Sequence, residues 1–167
     1  MNKQVVLELY EFDTWATTRM LDVVAALPEE LYTKNLGSSF GSMHGTLVHI
    51  YAGGRIWLDR WKGEPRPQLV KVEDVPTFQR LKDERARWSK DMAEFLSALT
   101  EEQLQTPLSY TDTKGATHSQ ILWKQMQHLV NHSTFHRGQV ATLLRQLGIK
   151  PPPTDLIVYY RDKDRHA

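Results

Sequence analysis

No cysteine occurs in the 167 residues, which excludes disulfides, zinc-thiolate sites and a cysteine nucleophile together. Any metal would have to be held by histidine or carboxylate. An excess of either charge is also missing: 21 Lys and Arg stand against 20 Asp and Glu, for a formal net charge of +1. No summed field draws in a phosphate backbone, so nucleic acid is not an expected partner. No apolar run approaches the roughly 20 residues that span a bilayer. The opening MNKQVVLELYEFD carries Lys3, Glu8, Glu11 and Asp13 where a signal peptide would be unbroken and apolar. A soluble, cytoplasmic protein without membrane contact is expected. Internal repeats and low-complexity segments are absent as well. With 40% hydrophobic and 25% charged residues the composition is globular, and the length suits a single domain over 1–167.

What the chain does have is helical periodicity. At about 100 degrees per residue, Val5, Leu9, Phe12, Ala16, Met20, Val23 and Leu27 share one stripe, and Pro28 follows as a breaker. Met43, Leu47, Ile50, Gly54, Trp57 and Trp61 form a second stripe, ended by Gly63 and the Pro65 to Pro67 stretch. Pro76 and Thr77 open a third, in which Leu81, Trp88, Met92, Phe95 and Leu99 face one way while LKDERARWSKD supplies mixed charge outside. TPLSYTDTKGATHS alternates weakly around Lys114-Gly115, which reads as a short hairpin or an irregular crossing. From about Ser119 to Leu147 a fourth helix aligns Leu122, Leu129, Val140, Leu143 and Leu147, with Gly148 at the expected cap. PPPTDLIVYYRDKDRHA then packs its apolar middle and ends in a charged tail. Four amphipathic helices predict an all-α, four-helix bundle. The loop between the first two reads as short, and the crossover before the last helix as long.

The last helix also carries HLVNHSTFHRGQ, in which His128, His132 and His136 recur every four residues. Four residues advance about 400 degrees, so the three side chains stack on adjoining turns and neighbours can share one ion. Relative to Leu129, His136 lies about 20 degrees away, His132 about 60 and His128 about 100. The geometry thus favours His132 and His136 as a pair. The alternative is a core histidine with its nitrogens satisfied, beside surface ones. H-x-x-x-H without the glutamate of H-E-x-x-H lacks a built-in general base. A third ligand must come from another helix. His49 is a candidate but lies about 120 degrees from the centre of the second stripe, and His44 and His118 compete, so periodicity does not choose.

Asp13 lies about 40 degrees from the centre of the first apolar face. An unpaired carboxylate there would be costly, so it is expected to meet an arginine or tryptophan, or a ring nitrogen of a ligating histidine. Arg137 reads as structural, paired with a carboxylate of the first helix or with Asp155. His128 is placed at a pocket mouth or in solvent. Trp15, Trp57 and Trp61 read as packing or dimer-interface residues.

HLVNHSTFHRGQVATLLRQLG, LVHI followed by Trp57, and FDTWATTRML together resemble the DinB family of bacterial damage-inducible proteins. NHxxxHRGQ, from Asn131 to Gln139, is the most specific part. The resemblance implies a commonly dimeric four-helix bundle with a divalent metal held by one histidine of the second helix and both of the HxxxH. The ligands would then be His49, His132 and His136. Three imidazoles suit zinc, the default, and equally nickel, cobalt, manganese or iron. They leave a coordination position open, as catalytic sites do. By the same resemblance the reaction is transfer to or from a low-molecular-weight thiol such as bacillithiol or mycothiol, or metal-assisted hydrolysis of a small molecule. With no cysteine in the chain, such a thiol must come from a cofactor. The competing expectation is a noncatalytic, metal-stabilised dimer that acts in a stress response through its interaction surface.

Overall fold

The first long helix, α1 (Lys3–Ala25), begins where the Asn2 side chain accepts a hydrogen bond from the Val5 N–H at 3.0 Å. The polar side chain thereby satisfies a donor that the helix itself leaves free. The structure, a computed structural model, describes residues 1–64 and 68–165. After α1 come a single-turn helix, α2 (Glu29–Tyr32), and then α3 (Met43–Trp61), whose cap is Ser42 accepting from Gly45 N–H at 3.0 Å. The expected breaker at Pro65 to Pro67 lies outside the described residues. A 3-10 turn at Val72–Asp74 leads into α4 (Phe78–Ala98), capped by Thr77 as its position before the charged stripe predicts. The short α5 (Glu101–Gln105) carries a reciprocal capping box between Thr100 and Gln103.

The weakly alternating segment is an antiparallel hairpin, β1 (Pro107–Thr111) paired with β2 (Thr117–Ile121), with Pro107 opposite Ile121. Gly115 turns the chain at φ 87°, a left-handed value that glycine adopts without steric cost. The protein is thus mostly helical with a two-stranded sheet, rather than all-α. The fourth long helix, α6 (Leu122–Gln146), starts later than its periodicity suggests, because Ser119 to Ile121 are held in the ladder with β1. At its other end Gly148, at φ 73°, donates to Arg145 O at 2.9 Å and Ile149 N–H donates to Leu144 O at 2.9 Å. These two bonds make the expected glycine stop a Schellman motif. The apolar part of the C-terminal segment forms α7 (Leu156–Asp164), seating Tyr159 against Phe12 and Trp15 of α1.

Packing joins α6 to both α1 and α3, and α4 also to both α1 and α3, so the four long helices close a ring in the order α1, α6, α3, α4. A cluster of buried apolar side chains draws on all seven helices. The connection between the first two long helices is not short: it holds α2 and a turn closed by Leu36 N–H on Gly41 O at 2.9 Å. Because α3 and α6 lie side by side, residues in the middle of each meet across one seam. Among the described residues no helix is long and apolar enough to cross a membrane.

Candidate metal centre

Two adjacent glycines make the seam around α3 possible. A Cβ on Gly53 would sit 3.1 Å from His132 Cε1, and one on Gly54 would sit 2.9 Å from Trp88 Cε2. Successive residues of a helix point about 100 degrees apart, so one glycine admits α6 and the other α4. Glycine inside a helix costs about 0.5–1 kcal/mol relative to alanine, here offset by the close approach of the neighbouring helices.

Across the α3–α6 seam, His132 Nε2 lies 3.1 Å from His49 Nε2 and 3.1 Å from His136 Nε2. Among the described residues these three side chains are the group of three or more histidine or carboxylate donors whose ligand atoms lie within 4.8 Å of one another. His49 and His132 are partly exposed and His136 is buried. The Gln139 amide oxygen, 2.8 Å from His136 Nδ1, accepts a hydrogen bond from the N–H of that nitrogen in the neutral ring and leaves Nε2 as a bare lone pair. A ring nitrogen holds either one proton or one in-plane lone pair, so His132 Nε2 can serve only one of its two neighbours by hydrogen bonding. A single cation would satisfy all three at once. Imidazole nitrogens about 2.0–2.1 Å from an ion, at octahedral to tetrahedral angles, are separated by about 2.9–3.4 Å, and the observed 3.1 Å spacings fall inside that range. The residues fit a metal.

Electrostatics act in the same direction. Burial, and then the neighbouring His136, lower the pKa of His49 to about 4. Burial, followed by His136, His49 and His128, lowers that of His132 to about 4 as well, against a small opposing effect of Asp13. Both rings are therefore neutral across the physiological range and present lone pairs rather than protons. A pH dependence follows for the metal-free protein. The unfolded chain protonates these histidines as pH falls through about 6.5, whereas the folded protein resists until about 4. The unfolded state holds more protons in that window, so stability falls as pH drops from about 6.5 to about 4 and levels below it. Thermal unfolding in a chelator, wild type against His49→Asn/His132→Asn, should show the wild type losing more of its melting temperature across that window. Equal losses would refute the assignment. The effect is expected to be modest, because both rings are partly solvated.

The other histidines are employed elsewhere. His44 is buried with Nε2 2.8 Å from Val75 O, and His118 pairs with Asp112 at 3.0 Å in the hairpin. His128 is exposed one turn before His132, its ring edge-on to Trp57 at 5.5 Å between centroids. Asp13 meets Arg137, which also donates to Thr17 Oγ1 at 3.0 Å and Thr134 Oγ1 at 2.7 Å, while Arg85 approaches the same carboxylate at 3.5 Å. The expected arginine partner for Asp13 is thus present, and Arg137 takes the carboxylate of α1 rather than Asp155. Trp15 packs on Tyr159, Trp61 donates to Gln125 Oε1 at 3.1 Å, and Trp57 abuts Tyr110 of the hairpin. Asn131 is exposed beside a groove between α1, α6 and α7.

Phe40 has no periodic signal in the sequence, yet its ring stacks on His49 at 3.9 Å and 17° and meets His136 edge-on at 5.4 Å. The signal that could have located it is Gly45, where a Cβ would fall 2.1 Å from the Phe40 carbonyl oxygen. Two cavities lie away from the histidines. One of about 740 Å³ is edged by Arg55, Arg80, Glu84 and Asp91, and an apolar groove of about 600 Å³ runs between α1 and α4 past Leu7, Trp15 and Met92. Their size is outweighed by the chemistry of the histidine cluster, since among the described residues that cluster is where three histidine or carboxylate ligand atoms converge.

The family model of the DinB family matches residues 1–165. Protein DinB of Bacillus subtilis (strain 168) is 28% identical over 159 residues, covering 91% of each chain. A crystal structure of a DinB-like protein from Bacillus cereus ATCC 10987 superposes with a TM-score of 0.65 at 20% identity, covering 92% of this chain and 99% of that one. At that identity the structural likeness speaks for the fold.

Proposed function

The chain belongs to the DinB family, and on that premise we propose that it is a divalent-metal-dependent enzyme, a single-domain four-helix bundle acting on a small molecule by low-molecular-weight-thiol transfer or metal-assisted hydrolysis. The observation that supports this reading is the convergence of His49, His132 and His136, with His132 Nε2 3.1 Å from each of the other two and all three ligand atoms within 4.8 Å of one another. Three ligands leave a place for water or substrate, unlike a closed four-ligand structural site. Zinc is the default ion, with nickel, manganese, iron and cobalt equally compatible. A cytoplasmic homodimer belongs to the same reading.

A bound ion would supply Lewis acidity toward a water or substrate donor atom at the open position. The protein's part is to hold the donors ready. Low proton affinity keeps His49 and His132 neutral, Gln139 orients His136 through Nδ1, and Gly53 brings His132 up to α3. The residue after His132 is the buried Ser133, so no carboxylate stands where H-E-x-x-H enzymes keep their base. Proton acceptance by the protein would fall to an imidazole outside the triad, for which His128 is the nearest on α6, or to the substrate itself.

Cobalt substitution separates the two chemistries. With thiol transfer, adding bacillithiol, mycothiol or glutathione to the cobalt protein should produce a sulfur-to-metal charge-transfer band. An unchanged spectrum with all three would discard thiol transfer and leave hydrolysis, to be read on an ester and amide panel. The ligands' origin on two helices also favours a noncatalytic reading in which the ion joins α3 to α6. In that case removing the metal lowers the melting temperature and no thiol, ester or amide is turned over.

A further inference from the structure

Among the described residues Phe135 is the most exposed large apolar side chain, at 64%. Its ring nevertheless stands edge-on to His136, 5.0 Å between centroids at 83°. Phe40 reaches the same imidazole edge-on from the loop before α3, while its face covers His49. Two phenyl rings from separate segments therefore border one histidine of the triad. An exposed phenylalanine alone is ordinary; one whose ring meets a histidine of the triad that a second phenylalanine also meets is not.

The position of Phe40 is built into the backbone. Gly41 takes φ 74° in a turn where Gly41 N–H donates to Ser38 O at 2.9 Å and Ser42 N–H donates to Phe40 O at 2.8 Å. Gly45 then lets this turn rest directly on the start of α3. Among the described residues no lysine or arginine cation lies over Phe40 or Phe135. The groups that act electrostatically on His49 and His132 are histidines and the buried Asp13. A charged coordinating group would meet the ion itself, but a second phosphate or carboxylate on the part of the substrate beside the rings would lose hydration there without a further counter-charge. An aryl or alkyl group would gain apolar area and edge or face contacts with two rings.

We propose that Phe40 and Phe135 are specificity-determining residues that seat an uncharged aryl or bulky apolar substituent of the substrate beside its metal-coordinating group. This assignment rests on the reading of His49, His132 and His136 as a metal site, so cobalt content is measured first. A chain that retains no cobalt defeats the metal reading, and this assignment with it. On protein shown to hold cobalt, acetohydroxamate and benzohydroxamate are titrated by visible absorption, since they offer the same coordinating group and differ in the methyl or phenyl attached. Wild type should bind benzohydroxamate roughly ten-fold more tightly. Phe135→Ala, at an exposed position, should leave folding, cobalt content and acetohydroxamate affinity unchanged and reduce the preference to roughly three-fold or less. Phe40→Leu should reduce it likewise. A wild-type ratio near one, a ratio that neither substitution changes, or no spectral response to either hydroxamate by cobalt-loaded protein would overturn the assignment. So would a change of oligomeric state in Phe135→Ala with the ratio intact, which would make Phe135 a contact between copies.

Discussion

Protein purified without an affinity tag should carry about one divalent ion per chain, and His49→Ala and His136→Ala should each lose it on dialysis. The reason lies in the seam. His49 comes from α3 and His132 and His136 from α6, so each substitution leaves two imidazoles and removes the convergence that selects an ion over water. Gln139→Ala supplies a graded comparison, because Gln139 touches His136 Nδ1 and not the ligand position. Losing such an outer partner typically costs about 10–100-fold in metal affinity, short of the loss expected from removing a ligand. His44→Ala is the control: its ring is committed to Val75 O, and metal content should be unaffected. If neither the purified wild type nor the protein offered stoichiometric zinc, nickel or manganese holds an ion, the three rings are a packed polar cluster and the proposed activity has no centre.

How much of this could be read in advance differs from helix to helix, for physical reasons. On α6 the wheel works because one face meets the core and the other meets solvent, so a histidine at the edge of the apolar stripe is informative. His132 and His136 do sit there. On α3 it fails. Nearly the whole circumference of that helix is buried, including Gly53 toward α6 and Gly54 toward α4. A stripe then no longer marks the side that faces partners, and His49, far from the stripe's centre, still faces His132. Family resemblance points to His49 where periodicity does not, and the adjacent glycines are a physical clue to the close approach that brings it near His132. Phe40 was out of reach because it lies in a loop whose course is set by Gly41 and Gly45 rather than by any repeat. The start of α6 was misplaced for the opposite reason: Ser119 to Ile121 fit the helical pattern, but ladder bonds to β1 hold them extended. Asp13 and Arg137 were legible from the cost of burying an unpaired charge, which requires a partner without specifying its geometry.

That buried pair carries the largest stability effect to be expected. Asp13 is 3% exposed, Arg137 1% and Arg85 7%, so one carboxylate faces two guanidiniums where water cannot compensate. Arg137 further donates to Thr17 and Thr134, fastening α1 to α6 one residue beyond His136. Burial already lowers the pKa of Arg85, and Asp13 is what chiefly opposes that effect. Removing the carboxylate would leave two buried cations facing each other. Breaking a buried pair from one side commonly costs about 3–5 kcal/mol, so Asp13→Ala should melt roughly 6–20 °C below wild type for a chain of this size. Arg137→Met alone should cost less, because Arg85 still faces the carboxylate. Combining Asp13→Ala with Arg137→Met should be less damaging than the sum of the single substitutions, since the double variant no longer strands Arg137 opposite a missing anion. Thermal and urea unfolding of wild type, the two single variants and the double variant gives the coupling directly. A cost below about 1 kcal/mol for Asp13→Ala would mean that the two arginines find water or another anion when it is gone. The α1–α6 junction behind the histidines would then owe little to that carboxylate, with Tyr10 on Met126 O, Arg137 on Thr17 and apolar packing holding it.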